Sequence, residues 1–190
     1  MPTVLAFRDK LLPRSETFVL RHYRTDSRWT PAFAGAARAA DGLPLDPWPS
    51  FALSDVGGPL PAQAYRWTGR HAALERFGRD QGARIVHAHF GKSGAIALPL
   101  ARRLGLPLVV SFHGGDATKR GHFRRWPKGG VFARRLAARK AETALFLTDS
   151  EYLRTRLIER GFPGDRIQAH HIGVDASDYA FTPLAGRKRD

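Results

Sequence analysis

The chain has 190 residues, of which 43% are hydrophobic, so it can bury the core of one domain and is not an intrinsically disordered chain. It contains no cysteine, which excludes disulfides, thiolate metal sites and cysteine nucleophiles. Its 31 basic and 17 acidic residues give a formal net charge of +14, which favours anionic partners: phosphorylated ligands, anionic membranes or nucleic acid.

In the first half of the chain, short β-rich runs and one long amphipathic run predict the following elements. These are a strand over 3–7, a polar loop over 8–15, a helix over 16–24 capped by Ser15, short strands near 32–36 and 51–53, and one helix over 63–81. In that last helix Trp67, His71, Leu74 and Phe77 would share one apolar face.

In the second half, strands and helices alternate more regularly. The predicted strands are 84–90, 108–113, 143–148 and 166–171, and the helices are 93–104, 128–141 and one that begins after Ser150. This alternation predicts an α/β fold with a single doubly wound, Rossmann-like domain, a mostly parallel sheet and helices on both faces. We expect the domain to span 1–182 and residues 183–190 to be a linker or a truncated end.

Polar residues and glycines follow the predicted strands. They occupy the segments 8–17, 89–94, 113–116, 149–151 and 173–175. Ligands of an open parallel sheet bind outside the carboxyl ends of its strands, where glycines allow close approach and helix N-termini attract anions. We therefore expect these loops to converge on one ligand site, although any single loop is equally well explained as a tight turn.

Three histidines raise the question of a metal site. His87 and His89 lie on one side of a predicted strand, and His113 would lie on or near an adjacent strand, with Asp116 close by. Their spacing matches no established metal signature, so we expect no metal. A hydrogen-bonded core role is the better interpretation of His87.

The segment 117–141 is rich in Lys and Arg and contains no acidic residue. Its candidate contacts to a membrane or an anionic acceptor are Lys119, Arg120, Arg124, Arg125, Trp126 and Lys128. An anionic leaflet and a solvated Arg-rich face explain this pattern equally well. No nucleic-acid-binding motif accompanies it, so we expect no nucleic-acid partner.

The chain has neither a signal peptide nor an apolar run of membrane-spanning length, so we expect a cytoplasmic location. Peripheral attachment to the inner face of the cytoplasmic membrane is left open.

Four segments carry a resemblance to a known family: 15–19 (Ser-Glu-Thr-Phe-Val), 86–91 (Val-His-Ala-His-Phe-Gly), 107–118 and 173–175 (Gly-Val-Asp). They resemble the N-terminal half of retaining GT-B glycosyltransferases, above all the family-four enzymes of bacterial exopolysaccharide and lipopolysaccharide synthesis, including the colanic-acid type. The resemblance implies transfer of a sugar from a nucleotide-diphosphate sugar to a lipid-linked or saccharide acceptor. It implies no cofactor other than this donor substrate.

The resemblance also implies roles for individual residues. His113 matches the family histidine that faces the donor sugar near the transferred carbon, and is the candidate catalytic residue. Glu16 and its neighbours match the loop beside the donor phosphates and the acceptor. The candidate donor- or acceptor-binding residues are Ser15, Glu16, Thr17, His89, Gly91, Gly114, Asp116, Gly173 and Asp175. The loop lacks the family's paired glycines, and Ile172 replaces a common Asn.

Such enzymes have a second Rossmann domain that binds the nucleotide sugar, and this chain stops where that domain should begin. Glu151 and Glu159 have the Glu-x7-Glu spacing of that domain, but Arg154 and Arg156 between them favour a solvated helix face. We therefore expect an incomplete enzyme, inactive alone, that needs the missing domain in cis or in trans. The alternative is a non-catalytic Rossmann-like module that binds a polyanion or an acceptor.

Overall fold

The computed structural model of the chain describes residues 1–25, 28–118, 131–174 and 176. Its seven strands form one sheet, in which neighbouring strands are parallel and follow the order β3-β2-β1-β4-β5-β6-β7. The strands are β1 (Thr3–Leu11), β2 (Thr30–Arg38), β3 (Ser50–Ala52), β4 (Ala83–His89), β5 (Leu108–Phe112), β6 (Leu145–Thr148) and β7 (Ile167–Ala169). The predicted fold class is confirmed.

The helices connect these strands on both sides of the sheet. They are α1 (Thr17–Thr25), α2 (Pro59–Thr68), α3 (Ala72–Asp80), α4 (Gly91–Leu104), α5 (Gly115–Thr118), α6 (Val131–Glu142) and α7 (Glu151–Glu159). Ser150 caps α7 through its Oγ atom, which accepts a hydrogen bond from the Leu153 N–H, as predicted. Apart from the helix over 63–81, the other predicted elements are present, with ends that differ by a few residues. Ser15 does not cap α1, because it lies inside a short 3-10 helix, Arg14–Glu16, that precedes α1.

The alternation of side chains along β1 divides the interior into two cores. Leu5 and Phe7 face a core that α2, α3, α4 and α7 cover, whereas Val4 and Ala6 face a core that α1 covers. Burying one such aliphatic or aromatic side chain contributes about 1.5–3 kcal/mol. These two cores fix the sheet between its helices and so fix the loops at its carboxyl edge.

The strand order reverses beside β1, which pairs with β2 on one side and with β4 on the other. The chain leaves β1 and β4 in opposite directions, so a crevice opens between the loops that follow them. In open α/β sheets this topological switch point is where ligands bind.

Two details differ from the sequence-based expectations. The single helix over 63–81 is wrong: α2 ends at Gly69, whose φ of +69° is left-handed and whose N–H donates to the Tyr65 carbonyl at 2.7 Å. Trp67 is consequently half exposed and His71 precedes α3, so the predicted common apolar face does not exist. The first strand pairs with β2 as far as Leu11, which is four residues beyond its predicted end. Arg8 and Asp9 therefore belong to β1 and not to a polar loop.

Candidate functional site

A cavity of about 390 Å³ opens at the carboxyl edge of β4, β5 and β6. Side chains from five separate parts of the chain line it: Phe18 and His22 of α1, His89, His113, Asp149, and the segment 170–174. The predicted convergence is therefore present for the segments that begin at 89, 113, 149 and 173, whereas no residue of the predicted segment 8–17 lines this cavity.

His113 lies immediately after β5, at the centre of these contacts. Its Nδ1 lies 3.0 Å from Asp149 Oδ2 and its Nε2 lies 3.1 Å from Nδ1 of His89. The rings of Phe18 and Phe90 both approach it edge-on, with centroid distances of 4.9 Å. The imidazole is thus held beside both the loop near residue 16 and the start of α4 at residue 91, and only 7% of its side chain is exposed.

Asp116 joins two of the loops that line the site. Its Oδ2 accepts the Gly91 N–H at 2.8 Å and its Oδ1 accepts the His113 N–H at 3.1 Å. The residue is buried. This geometry favours a positioning role for Asp116 over the direct donor or acceptor binding that the resemblance implies, because both oxygens already accept backbone hydrogen bonds.

The loop near residue 16 is built around an ion pair. Arg8 donates to Glu16 through Nη2 at 2.6 Å and through Nε at 2.9 Å, and its Nη1 donates to Ser93 Oγ at 3.1 Å. Glu16 is buried, whereas Arg14, Ser15 and Thr17 are exposed. Glu16 therefore holds Arg8 in place, and the other three residues face solvent.

Sequence reasoning missed Asp9, which anchors a second ionic cluster at the same edge. Its carboxylate accepts from Arg66 Nε and from Lys92 Nζ, both at 2.7 Å. Burial alone would raise the pKa of Asp9, but the hydrogen bonds and charges of Lys92 and Arg66 outweigh it and lower the pKa below its ordinary value. The signal available in the sequence was an acid directly after the apolar start of β1; its partner Arg66 is 57 residues away.

Behind His89, the buried side chains form a hydrogen-bonded cluster. The Tyr23 hydroxyl lies 2.9 Å from Nδ1 of His87 and 2.7 Å from Nε2 of His89, and Nε2 of His87 lies 2.8 Å from Ser111 Oγ. Burial, reinforced by the neighbouring histidines, lowers the pKa of His87 to about 3 and the pKa of His89 well below its ordinary value. The predicted core role of His87 is confirmed.

Among the described residues, no group of three or more His, Asp or Glu side chains is arranged to hold a metal ion.

Phe90 connects the two halves of the site through a strained backbone. Its φ of +69° with ψ of 144° is a conformation that residues with a side chain rarely adopt. Its ring lies 4.2 Å from the Arg8 guanidinium carbon and also contacts Phe18 and His113. The turn therefore places one aromatic ring between the ion pair and the imidazole.

The remaining candidate residues divide into placed and undescribed ones. Gly173 lines the cavity, and Gly114 has a φ of +115° that favours glycine. Gly91 is needed at the start of α4, since a Cβ there would lie 2.6 Å from the Phe112 ring. The candidates outside the described residues are Asp175, Lys119, Arg120, Arg124, Arg125, Trp126 and Lys128.

Helix α7 presents the Glu-x7-Glu pair to solvent, as predicted. The side chains of Glu151 and Glu159 are 71% and 53% exposed, and Arg156 pairs with Glu159 at 2.8 Å. In the part of the chain that the structure describes, no helix is both long and apolar enough to cross a membrane.

Seven parallel strands, a switch-point crevice and polar loops at the carboxyl edge define a Rossmann-type ligand-binding domain. Residues 29–178 match Glycosyltransferase Family 4. The chain belongs to that family.

Solved structures share this fold at low sequence identity. Anabaena HepE in complex with UDP-glucose is 15% identical with a TM-score of 0.62, and the match covers 96% of this chain and 47% of that one. The UDP-GlcNAc 2-epimerase of Methanocaldococcus jannaschii is 10% identical with a TM-score of 0.56, covering 89% of this chain and 45% of that one. The chain thus spans about half the length of these structures. A comparison with curated proteins found no match.

Proposed function

We propose that this chain is the acceptor-side, N-terminal half of a retaining GT-B glycosyltransferase of the colanic-acid or exopolysaccharide type. It would help transfer a sugar from a nucleotide-diphosphate sugar to a lipid-linked or saccharide acceptor in bacterial surface polysaccharide synthesis. The observation that carries this proposal is the His113–Asp149 pair, which faces a cavity at the carboxyl edge of the sheet. The chain that holds this pair belongs to Glycosyltransferase Family 4. HepE, which shares the fold, was solved with UDP-glucose, which supports a nucleotide-sugar donor.

Glycosyl transfer breaks the bond between the anomeric carbon and a phosphate oxygen and forms a bond from that carbon to the acceptor oxygen. Positive charge develops on the sugar and negative charge on the leaving phosphate, so fixed dipoles and cations nearby lower the barrier. His113, oriented by Asp149, would hold the donor sugar. Arg8 and Lys92 bring cations to the same edge, each held by a carboxylate.

The nucleotide would be bound mainly by a second Rossmann-like domain, in cis or in trans. The support for this is that the matched structures are about twice as long as the stretch they share with this chain. In this proposal residues 1–182 form the acceptor-side domain and 183–190 lead toward the second one. The present chain alone would then bind without transferring.

The test measures sugar transfer from a panel of UDP- and GDP-sugars by the protein that contains this chain together with the second domain. His113→Ala should lower turnover by about 100-fold, because a misplaced substrate loses the benefit of orientation. The control is His71→Ala, since His71 precedes α3 and does not line the cavity. Equal turnover in wild type and His113→Ala, with both proteins folded, would remove His113 from the site.

The alternative is a non-catalytic module for a polyanion or an acceptor, which the basic residues of 117–141 favour. A module would bind heparin, as a polyanion probe, or an acceptor oligosaccharide, and would gain no transfer activity when the second domain is added. Transfer activity that appears only with both parts present would instead establish the enzyme.

Peripheral membrane attachment is part of the proposal, based on the basic residues of 117–141. Each Lys or Arg near an anionic surface contributes about 1 kcal/mol. Sedimentation with phosphatidylcholine vesicles containing increasing phosphatidylserine should show binding that rises with the anionic fraction and weakens with salt. Binding that is indifferent to vesicle charge would contradict attachment through these residues.

A further inference from the structure

Five successive hydrogen bonds lead from the cavity into the core and join six side chains in one row. The distances are 3.0 Å for Asp149–His113, 3.1 Å for His113–His89, 2.7 Å for His89–Tyr23, 2.9 Å for Tyr23–His87 and 2.8 Å for His87–Ser111. All five are within the range of good hydrogen bonds. We call this row the histidine relay.

When His113 is neutral, the carboxylate at one end decides the direction of every bond in the histidine relay. An ionised Asp149 only accepts, so His113 must donate from Nδ1, and a neutral imidazole has a single N–H. Nε2 of His113 then accepts from Nδ1 of His89, whose own Nε2 accepts the Tyr23 hydroxyl proton. The Tyr23 oxygen in turn accepts from Nδ1 of His87, and Nε2 of His87 accepts from Ser111.

This alternation requires the inner members of the relay to be uncharged. Burial lowers the pKa of His87 to about 3 and that of His89 well below its ordinary value, and burial raises the pKa of Tyr23. At neutral pH each of these side chains therefore has one proton to donate. For a neutral His113, the reverse alternation would turn a lone pair of Nδ1 against the Asp149 carboxylate.

We infer that His89, Tyr23, His87 and Ser111 are positioning residues that hold His113 in the Nδ1–H tautomer and make its Nε2 a hydrogen-bond acceptor. A consequence that rests on the proposed function concerns the donor. With its only N–H directed at Asp149, the His113 ring has no N–H left to donate to a phosphate oxygen of the donor.

The tautomers are measurable by two-bond ¹H–¹⁵N NMR on the 190-residue chain labelled with ¹⁵N-histidine, with each ring assigned from its His→Gln variant. In the wild type, His113, His89 and His87 should all have the proton on Nδ1. A wild-type His113 protonated on Nε2 would overturn the inference without any variant.

The variant Tyr23→Phe removes the central hydroxyl and keeps the ring. His87 should then lose its single-tautomer signal because its Nδ1–H loses the acceptor, whereas His89 still donates to His113 and should keep its proton on Nδ1. The matched control is Tyr65→Phe, since Tyr65 is also buried but donates to the Ile96 carbonyl in the other core. This control should leave the tautomers of all three relay histidines unchanged. Tautomers in folded Tyr23→Phe that are identical to the wild type would refute the coupling.

Ser111→Ala is the second variant if Tyr23→Phe does not fold. It removes only the donor to Nε2 of His87 and leaves the Tyr23 contact, so His87 should keep its proton on Nδ1, and a proton on Nε2 would refute the direction of the relay. The NMR readout needs no substrate. A wrong tautomer and a failed transfer assay are therefore separate results, the first against the relay and the second against the proposed function.

Discussion

The buried histidine His87 predicts a specific loss of stability in mild acid. In the folded chain its pKa is about 3, with burial as the main cause, whereas an unfolded chain has a histidine pKa of about 6.5. As the pH falls below 6.5, the unfolded state binds a proton that the folded state does not, so the free energy of unfolding decreases. The decrease continues until the pH reaches the folded pKa and is constant below it.

The magnitude follows from the separation of the two pKa values. Each pH unit between them lowers the free energy of unfolding by about 1.4 kcal/mol, so moving from pH 7.5 to pH 5.0 costs about 2 kcal/mol through His87 alone. His87 is fully buried, so solvent screening does not reduce this figure substantially. Domains are stable by only about 5–15 kcal/mol in total, and the loss is therefore measurable.

The assay is urea unfolding of the wild type and of His87→Gln at both pH values. Glutamine keeps hydrogen-bonding groups near Tyr23 and Ser111 but does not titrate. Since other titrating groups contribute to both proteins, the difference between the two pH dependences isolates His87. The wild type should lose about 2 kcal/mol more than the variant on acidification, and parallel pH dependences would refute the neutral, buried state of His87.

Two further predictions concern the loops and the core. Asp116→Asn should lower the free energy of unfolding by about 1–3 kcal/mol, because an amide NH₂ would face one of the two backbone N–H groups that the carboxylate now binds. Calorimetric melting would show the change. An unaltered melting temperature would exclude the bridging role of Asp116. Gly94→Ala should also cost about 1–3 kcal/mol, because its Cβ would lie 2.8 Å from both Val110 methyl groups. Gly173→Ala is the control, with no atom within 4 Å of the added methyl, and equal stability of the two alanine variants would contradict the overpacking.

The sequence by itself determined the class of fold and the edge of the sheet where the site lies. Apolar β-rich runs such as 108–112 alternate with amphipathic runs, and this local pattern fixes backbone conformation and burial without knowledge of distant contacts. The run ends in His113 and Gly114, and a polar ending of this kind marks the carboxyl edge of a parallel strand. Position along the chain therefore placed His113 at that edge, whereas its candidate catalytic role came from the family resemblance.

Only the tertiary structure decided which partners these side chains have. Asp149 is 36 residues from His113, and Arg66 is 57 residues from Asp9, so neither pair leaves a periodic signal in the sequence. Sheet order and register bring such residues together: β4 pairs with β5 so that His89 lies opposite Ser111, one residue before the end of β5. Hydrogen bonds between distant segments depend on that register, whereas sequence periodicity reports only which face of an element each residue occupies.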